Sequence, residues 1–186
     1  VRTPAAMNML ISSRGPLFFC DTDINADPTA EEIADITLLA AEEVSRFVPP
    51  KVALLSHSSF GSHKSQQARK MAEALQLIRQ RAPHLEVDGE MRGDAALSEE
   101  LRRRVFLHSP LKGAANLLIM PNAEAANISH NLLQEVTHSV SVGPITLGLA
   151  KPAHILTRSA SARRIINMTA IAAVDAQEYL LSQQSG

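Results

Sequence analysis

Apolar residues recur along this chain with two periods, and each period names the element it would build. Two short apolar runs, Ala5–Ile11 and Leu17–Cys20, flank Arg14-Gly15-Pro16. Dense apolar stretches on either side of a Gly-Pro break predict two strands joined by a tight turn. Thr29 then stands three residues before Glu32, the spacing at which a hydroxyl and a carboxylate cap each other's backbone N–H groups. Ile33, Ile36, Leu39, Ala40 and Val44 follow at helical intervals up to Pro49, so a helix is predicted there.

From Pro50 onward, short and long segments alternate. Val52–Leu55, Leu85–Val87 and Leu117–Met120 are apolar runs of strand length, whereas Gln66–Arg81, Ala95–Val105 and Ala123–Val136 are amphipathic and helical in period. A Gly/Pro-rich crossing at Val142–Pro152 leads to a last helix over about Ser161–Leu181. Such alternation predicts an α/β fold, layered helix–sheet–helix, with a mostly parallel sheet. No internal repeat or low-complexity linker divides it.

Composition narrows the function classes. With 45% hydrophobic and 20% charged residues among 186, the chain can bury one sizeable core, and disorder is not expected. Lys and Arg number 18 against 19 Asp and Glu, so there is no general field to attract nucleic acid or anionic lipid. The absence of Trp removes a strong base-stacking platform. Cys20 is the only cysteine, which excludes an internal disulfide and fits a reducing cytoplasm. The stretch Val1–Ser13 lacks the parts of a signal peptide, and no apolar run reaches membrane-spanning length, so a cytoplasmic location without membrane partner is expected. The chain begins without an initiator methionine, inside what reads as structure, and is expected to be an excised fragment.

The segment Ser56-His57-Ser58-Ser59-Phe60-Gly61-Ser62-His63-Lys64 follows a predicted strand and opens a predicted helix. Free N–H groups and the helix dipole favour an anion there, and small residues would let a phosphate approach. It lacks the Gly-Lys-Ser/Thr of a Walker loop, and an ordinary strand-to-helix turn accounts for it equally well. Seven histidines include no His-Glu-x-x-His, so no metal site is expected. Asp88, Glu90 and Asp94 surround Gly89 and Gly93 and read as turn and N-cap residues. Arg102, Arg103 and Arg104 read as a solvated run near a helix end. Arg158, Arg163 and Arg164 gather instead at a helix start, where each cation is disfavoured by about 0.3–1 kcal/mol. Either an anion compensates, or the guanidinium groups bend into water or find carboxylates elsewhere.

Gly143-Pro144-Ile145-Thr146-Leu147-Gly148-Leu149-Ala150-Lys151-Pro152 closely resembles the signature of the phosphate acetyltransferase and phosphate butyryltransferase family. Asp88–Leu97, Ser109–Asn116 and Pro121–Ile128 resemble further blocks of it. Leu55–Ser62 and the opening Val1–Leu10 are closest to the phosphate-acetyltransferase-like C-terminal domain of bacterial NADP-dependent, or hybrid, malic enzymes. The resemblance implies a lobe of the isocitrate/isopropylmalate dehydrogenase-like type, with the second lobe over about 1–157 and a returning C-terminal helix over about 158–182. It also implies a cleft for acetyl-CoA and phosphate, with Ser58, Ser59, Gly61, Ser62, Lys64 and Lys151 among the ligand residues. Active members carry Ser-Arg after the signature and an Asp in the next helix; the matching positions here are Thr157, Arg158 and Arg164. Arg164 can neither accept a proton nor orient a thiol as a carboxylate would, so the transacetylase site reads as degenerate while acetyl-CoA binding is kept. A Tyr and a Lys common in the free enzymes are replaced by His130 and Asn131. The implied role is a regulatory and oligomerising module, at least dimeric, that binds acetyl-CoA and acts on a malic enzyme catalytic domain of the same polypeptide. NADP and a divalent metal would belong to that catalytic domain only. The alternative is an active phosphate acetyltransferase, forming acetyl phosphate and CoA.

Overall fold

The computed structural model describes residues 3–156, 158 and 160–184. Among these, six strands form one sheet: β1 (Ala5–Ser12), β2 (Gly15–Cys20), β3 (Val52–Leu55), β4 (Val87–Met91), β5 (Leu117–Ile119) and β6 (Val140–Leu147). The helices are α1 (Ala30–Ser45), α2 (Gln66–Arg81), α3 (Gly93–Leu97), α4 (Glu99–Val105), α5 (Ala123–Thr137) and α6 (Ala162–Gln184). Strand order is β4-β3-β5-β2-β1-β6. The pairings of β3 with β4, β3 with β5 and β2 with β5 are parallel, while β1 runs antiparallel to both its neighbours.

Local chemistry accounts for most boundaries. The hairpin turns on two residues, with Ser12 opposite Gly15, and Gly15 takes a φ of +99° that a side chain would strain. The capping box opens α1 as expected: Thr29 Oγ1 accepts the Glu32 N–H, and the Glu32 carboxylate accepts the Thr29 N–H at 2.7 Å. Strands β3 and β5 are apolar at every position because helices cover both faces of the sheet. On one face Ile33, Ile36, Met71, Ile78 and Met168 of α1, α2 and α6 pack on Met7, Phe18 and Leu54. On the other, Ala95 and Ala126 of α3 and α5 pack with Phe19, Leu55 and Met91.

Four sequence expectations change. Strand β4 is not Leu85–Val87 but Val87–Met91, so Asp88 and Glu90 lie buried on a strand rather than in a turn. Hydrogen bonding makes that burial tolerable: Asp88 accepts from Arg79 at 2.9 Å and from the Ser109 hydroxyl at 2.5 Å. Between them Gly89 passes so close to β3 that a Cβ would sit 2.8 Å from the Leu54 carbonyl oxygen. The helix expected over Ala95–Val105 breaks into α3 and α4 at Ser98, whose hydroxyl accepts the Leu101 N–H. Most of the Gly/Pro-rich crossing is strand β6.

The last difference concerns the arginine run. Arg103 and Arg104 are exposed and pair with Glu99 and Glu100, but Arg102 is 0% exposed. Its guanidinium donates to the carbonyls of Ala95 at 2.9 Å, Leu111 at 2.7 Å and Gly113 at 2.6 Å, and to the Ser109 hydroxyl at 3.1 Å. A single cation thus joins the helix break to the 109–113 loop, a role hidden in a sequence whose neighbours at 103 and 104 face water.

Candidate functional site

The loop between β3 and α2 already holds an anion, and it is the protein's own. Glu90 on the neighbouring strand reaches under the loop, where its carboxylate accepts from the Ser58 hydroxyl at 2.6 Å and from the Gly61 N–H at 2.9 Å. Every backbone N–H from 58 to 63 has an internal acceptor: Ser56 Oγ, Ser62 Oγ, the Glu90 carbonyl, the Glu90 carboxylate, the Ser59 carbonyl and Ser58 Oγ in turn. Phe60 and Gly61 take positive φ values of +50° and +82°, which curls these donors inward. Ser58 and Ser59 are buried, whereas Gly61, Ser62 and Lys64 reach the surface. Beyond the loop, Lys64, Arg69 and Lys70 border a surface groove of about 410 Å³ beside the start of α1.

A second polar cluster forms where α5, β6 and α6 meet. Arg164, in the first turn of α6, donates its Nε–H to the Gly143 carbonyl at 2.7 Å. Gly143 belongs to the signature segment and has a φ of +139°; a Cβ there would lie 2.3 Å from Asn8 Oδ1. Asn8, buried on β1, donates to Thr22 Oγ1 at 2.7 Å, while no partner meets its Oδ1 among the described residues. His130 of α5 packs edge-on against Phe19 and lies 3.2 Å from Ser141 Oγ. Burial pulls the His130 pKa below the ordinary imidazole value, the Arg164 charge pushes the same way, and Asp23 opposes both.

The end of the signature segment builds a third arrangement. Lys151 borders a groove of about 380 Å³ between the β6 end, α1 and α6. Beneath it His154 links strand to helix, because its Nδ1 accepts the Thr146 N–H at 3.2 Å and its Nε2 lies 2.7 Å from Asp175 Oδ2. With Nδ1 accepting the backbone N–H, Nε2 is the nitrogen that donates a hydrogen bond to the Asp175 carboxylate. Asp175 is held from its other oxygen by Arg46 at 2.6 Å. Burial pushes the neighbouring Glu43 carboxyl up, and its pairing with Arg46 offsets this only in part.

The sequence-derived residues therefore separate into two groups. Ser58, Ser59, Gly61 and Ser62 come together around Glu90, while Lys151 and Arg164 sit on or beside β6. Four interstrand steps of about 4.8 Å, or about 19 Å, separate β3 from β6, so this chain by itself does not bring the loop onto Arg164. Arg158 is exposed, and Thr157 lies outside the described residues. Sequence reasoning missed Glu90 as the loop's anion and the Arg46–Asp175–His154 chain, whose members are far apart in sequence with no spacing to announce them. Among the described residues no group of three or more His, Cys, Asp and Glu side chains is placed to hold a metal ion, and no helix is long and apolar enough to cross a membrane.

Comparison with known proteins places the geometry in context. Residues 1–173 match the phosphate acetyl/butaryl transferase family. The NADP-dependent malic enzyme of Haemophilus influenzae is 55% identical over 179 residues, which cover 96% of this chain but 24% of that protein. The phosphate acetyltransferase of Acetivibrio thermocellus is 39% identical over 165 residues, 88% of this chain and 50% of that protein. Among solved structures, a phosphotransacetylase from Streptococcus pyogenes superposes with a TM-score of 0.89 at 34% identity, covering 94% of this chain and 54% of the other. The chain thus spans about a quarter of the malic enzyme and about half of the acetyltransferases.

Proposed function

The chain belongs to the phosphate acetyl/butaryl transferase family, and from that premise we propose that it is the regulatory, self-associating part of a larger NADP-dependent malic enzyme. In this reading it binds acetyl-CoA as an effector and does not transfer the acetyl group. One observation carries the reading: the helix position that holds an acid in active members is Arg164, whose guanidinium is fixed on the signature segment by its bond to Gly143. A permanent cation there cannot take a thiol proton, but it favours a phosphate-rich ligand and adds to the lowering of the His130 pKa that burial begins. The rest of the cleft, including any partner for the Ser58–Lys64 loop, would come from the parts of the parent beyond this chain. NADP, a divalent metal and malate would be handled by its catalytic domain.

Self-association rests on α5, which buries Ala126 and His130 yet leaves Ile128, Leu132 and Val136 exposed by 52%, 61% and 76%. Three large apolar residues on one outward stripe are more than chance exposure requires, and a two-fold pairing is the simplest way to cover them. The test is malate oxidation by the full-length parent with and without acetyl-CoA, beside calorimetry of acetyl-CoA binding to wild-type and Arg164→Ala protein. Inhibition that is blunted by the substitution, with no phosphate-dependent consumption of acetyl-CoA, is the expected result. Robust acetyl phosphate formation would establish a working transacetylase instead.

A further inference from the structure

A cavity of about 500 Å³ lies at the edge of the sheet opposite the Ser58–Lys64 loop, where chain segments enter the parallel strands rather than leave them. It is bounded by the β1–β2 hairpin, the α1–β3 connection, the approach to β5 and the end of α5. Its walls are Leu10, Leu17, Val48, Leu97, Ala115 and Leu133, and its volume falls within the ordinary range of small-molecule sites.

Charge distinguishes this cavity from the rest of the surface. The chain as a whole carries slightly more acid than base, yet Arg14 and Lys51 are among the lining residues and no Asp or Glu is. Lys51 donates to a neutral acceptor, the Lys112 carbonyl at 2.7 Å, and no carboxylate pairs with it among the described residues. The Arg14 guanidinium has no ion-pair or hydrogen-bond partner among the described residues. An apolar chamber with two unneutralised cations asks for a ligand that is apolar along its body and anionic at one end.

We propose that the hairpin-edge cavity lined by Leu17 and Leu133, with Arg14 and Lys51 among its lining residues, binds an amphipathic monocarboxylate of the medium-chain fatty acid type. The apolar tail replaces water against the leucines and Val48, and the carboxylate meets the two cations. The site shares none of its lining residues with the cluster around Arg164, although the end of α5 borders both.

The experiment titrates octanoate into the full chain, followed by calorimetry and by the methyl resonances of Ala115 and Leu133. Saturable binding with shifts confined to those methyls and their neighbours is expected. Arg14→Gln removes one charged contact at an exposed position and should raise the Kd about tenfold. Ala114→Phe, also at an exposed lining position, should fill the space and abolish binding while leaving the melting temperature of the free protein unchanged. Octan-1-ol, with the same tail and no charge, should bind at least about tenfold more weakly. Equal affinity for the alcohol, indifference to either substitution, or no saturable binding at millimolar octanoate would overturn the assignment. The titration is repeated on the full-length parent, where loss of binding would show that protein fills the cavity and would equally end the proposal.

Discussion

Removing the Arg102 guanidinium should unfold this lobe more readily than changing either arginine beside it. In Arg102→Met the aliphatic stem is nearly preserved, so the loss is confined to the charge and its donors. Three carbonyls, of Ala95, Leu111 and Gly113, lose the donor they share, whereas Ala96 keeps its bond from the Ala115 N–H at 2.9 Å. Each buried carbonyl left unsatisfied costs about 1–3 kcal/mol. Relief of the buried cation's own desolvation returns part of that, so the net loss is about 3–5 kcal/mol. For a chain of this size each kcal/mol lowers Tm by about 2–4 °C, which predicts a fall of about 6–20 °C. Thermal and urea denaturation of Arg102→Met, with Arg103→Met as the exposed control, measures it. A shift in Arg102→Met no larger than in the control would refute the reasoning, because it would mean that water reaches the carbonyls and that the 109–113 loop is not held from within.

Three further outcomes follow from the same geometry. Gly143→Ala places a methyl against Asn8 at a φ that disfavours any side chain, and should cost about 2–4 kcal/mol in urea denaturation; a change below about 0.5 kcal/mol would contradict the close approach. Because the folded pKa of His130 is depressed, protonation favours the unfolded chain, so stability is full above the ordinary imidazole pKa of about 6.5 and declines as pH falls from there toward the folded value. His130→Asn should remove that part of the slope, and Arg164→Ala should raise the His130 pKa in an NMR titration; an unmoved titration would separate the two residues. Glu90→Ala should deprive Gly61 of its acceptor and speed amide hydrogen exchange at Gly61 ahead of the α1 core, with unchanged exchange as the refuting result.

Elements whose pattern is local were readable from the chain. The Thr29/Glu32 box, the hairpin break that Arg14-Gly15-Pro16 marks and the α2 period depend on residues within a few positions of one another, and each produced the expected element, although Gly15 and Pro16 themselves pair within β2. The family resemblance at Gly143–Pro152 adds the lobe type to the α/β class that strand–helix alternation predicts. What stayed hidden depends on contacts between distant segments. Asp88 and Glu90 look like turn acids because the groups that make their burial stable, among them Arg79, Ser109, Ser58 and Gly61, come from other elements. Arg102 looks like Arg103 until the carbonyls of the 109–113 loop surround it. At the Ser58 loop the sequence leaves an anion site and an ordinary turn open, and the carboxylate that meets the loop comes from a strand about thirty residues away, a pairing that sequence spacing does not encode.

The first strand of this sheet has to wait for the last. Strand β1 lies between β2 and β6, with Ala5 paired to Leu147 and Ile11 to Val140. During synthesis β2 can close on β1 as a hairpin at once, but the outer edge of β1 stays open until most of the chain has left the ribosome. Contacts of such long sequence separation slow folding, and an open edge is a template for wrong pairing. Translation that stalled before Val140 would therefore leave an adhesive intermediate, with Ala5–Ile11 as the segment that a chaperone would need to shield.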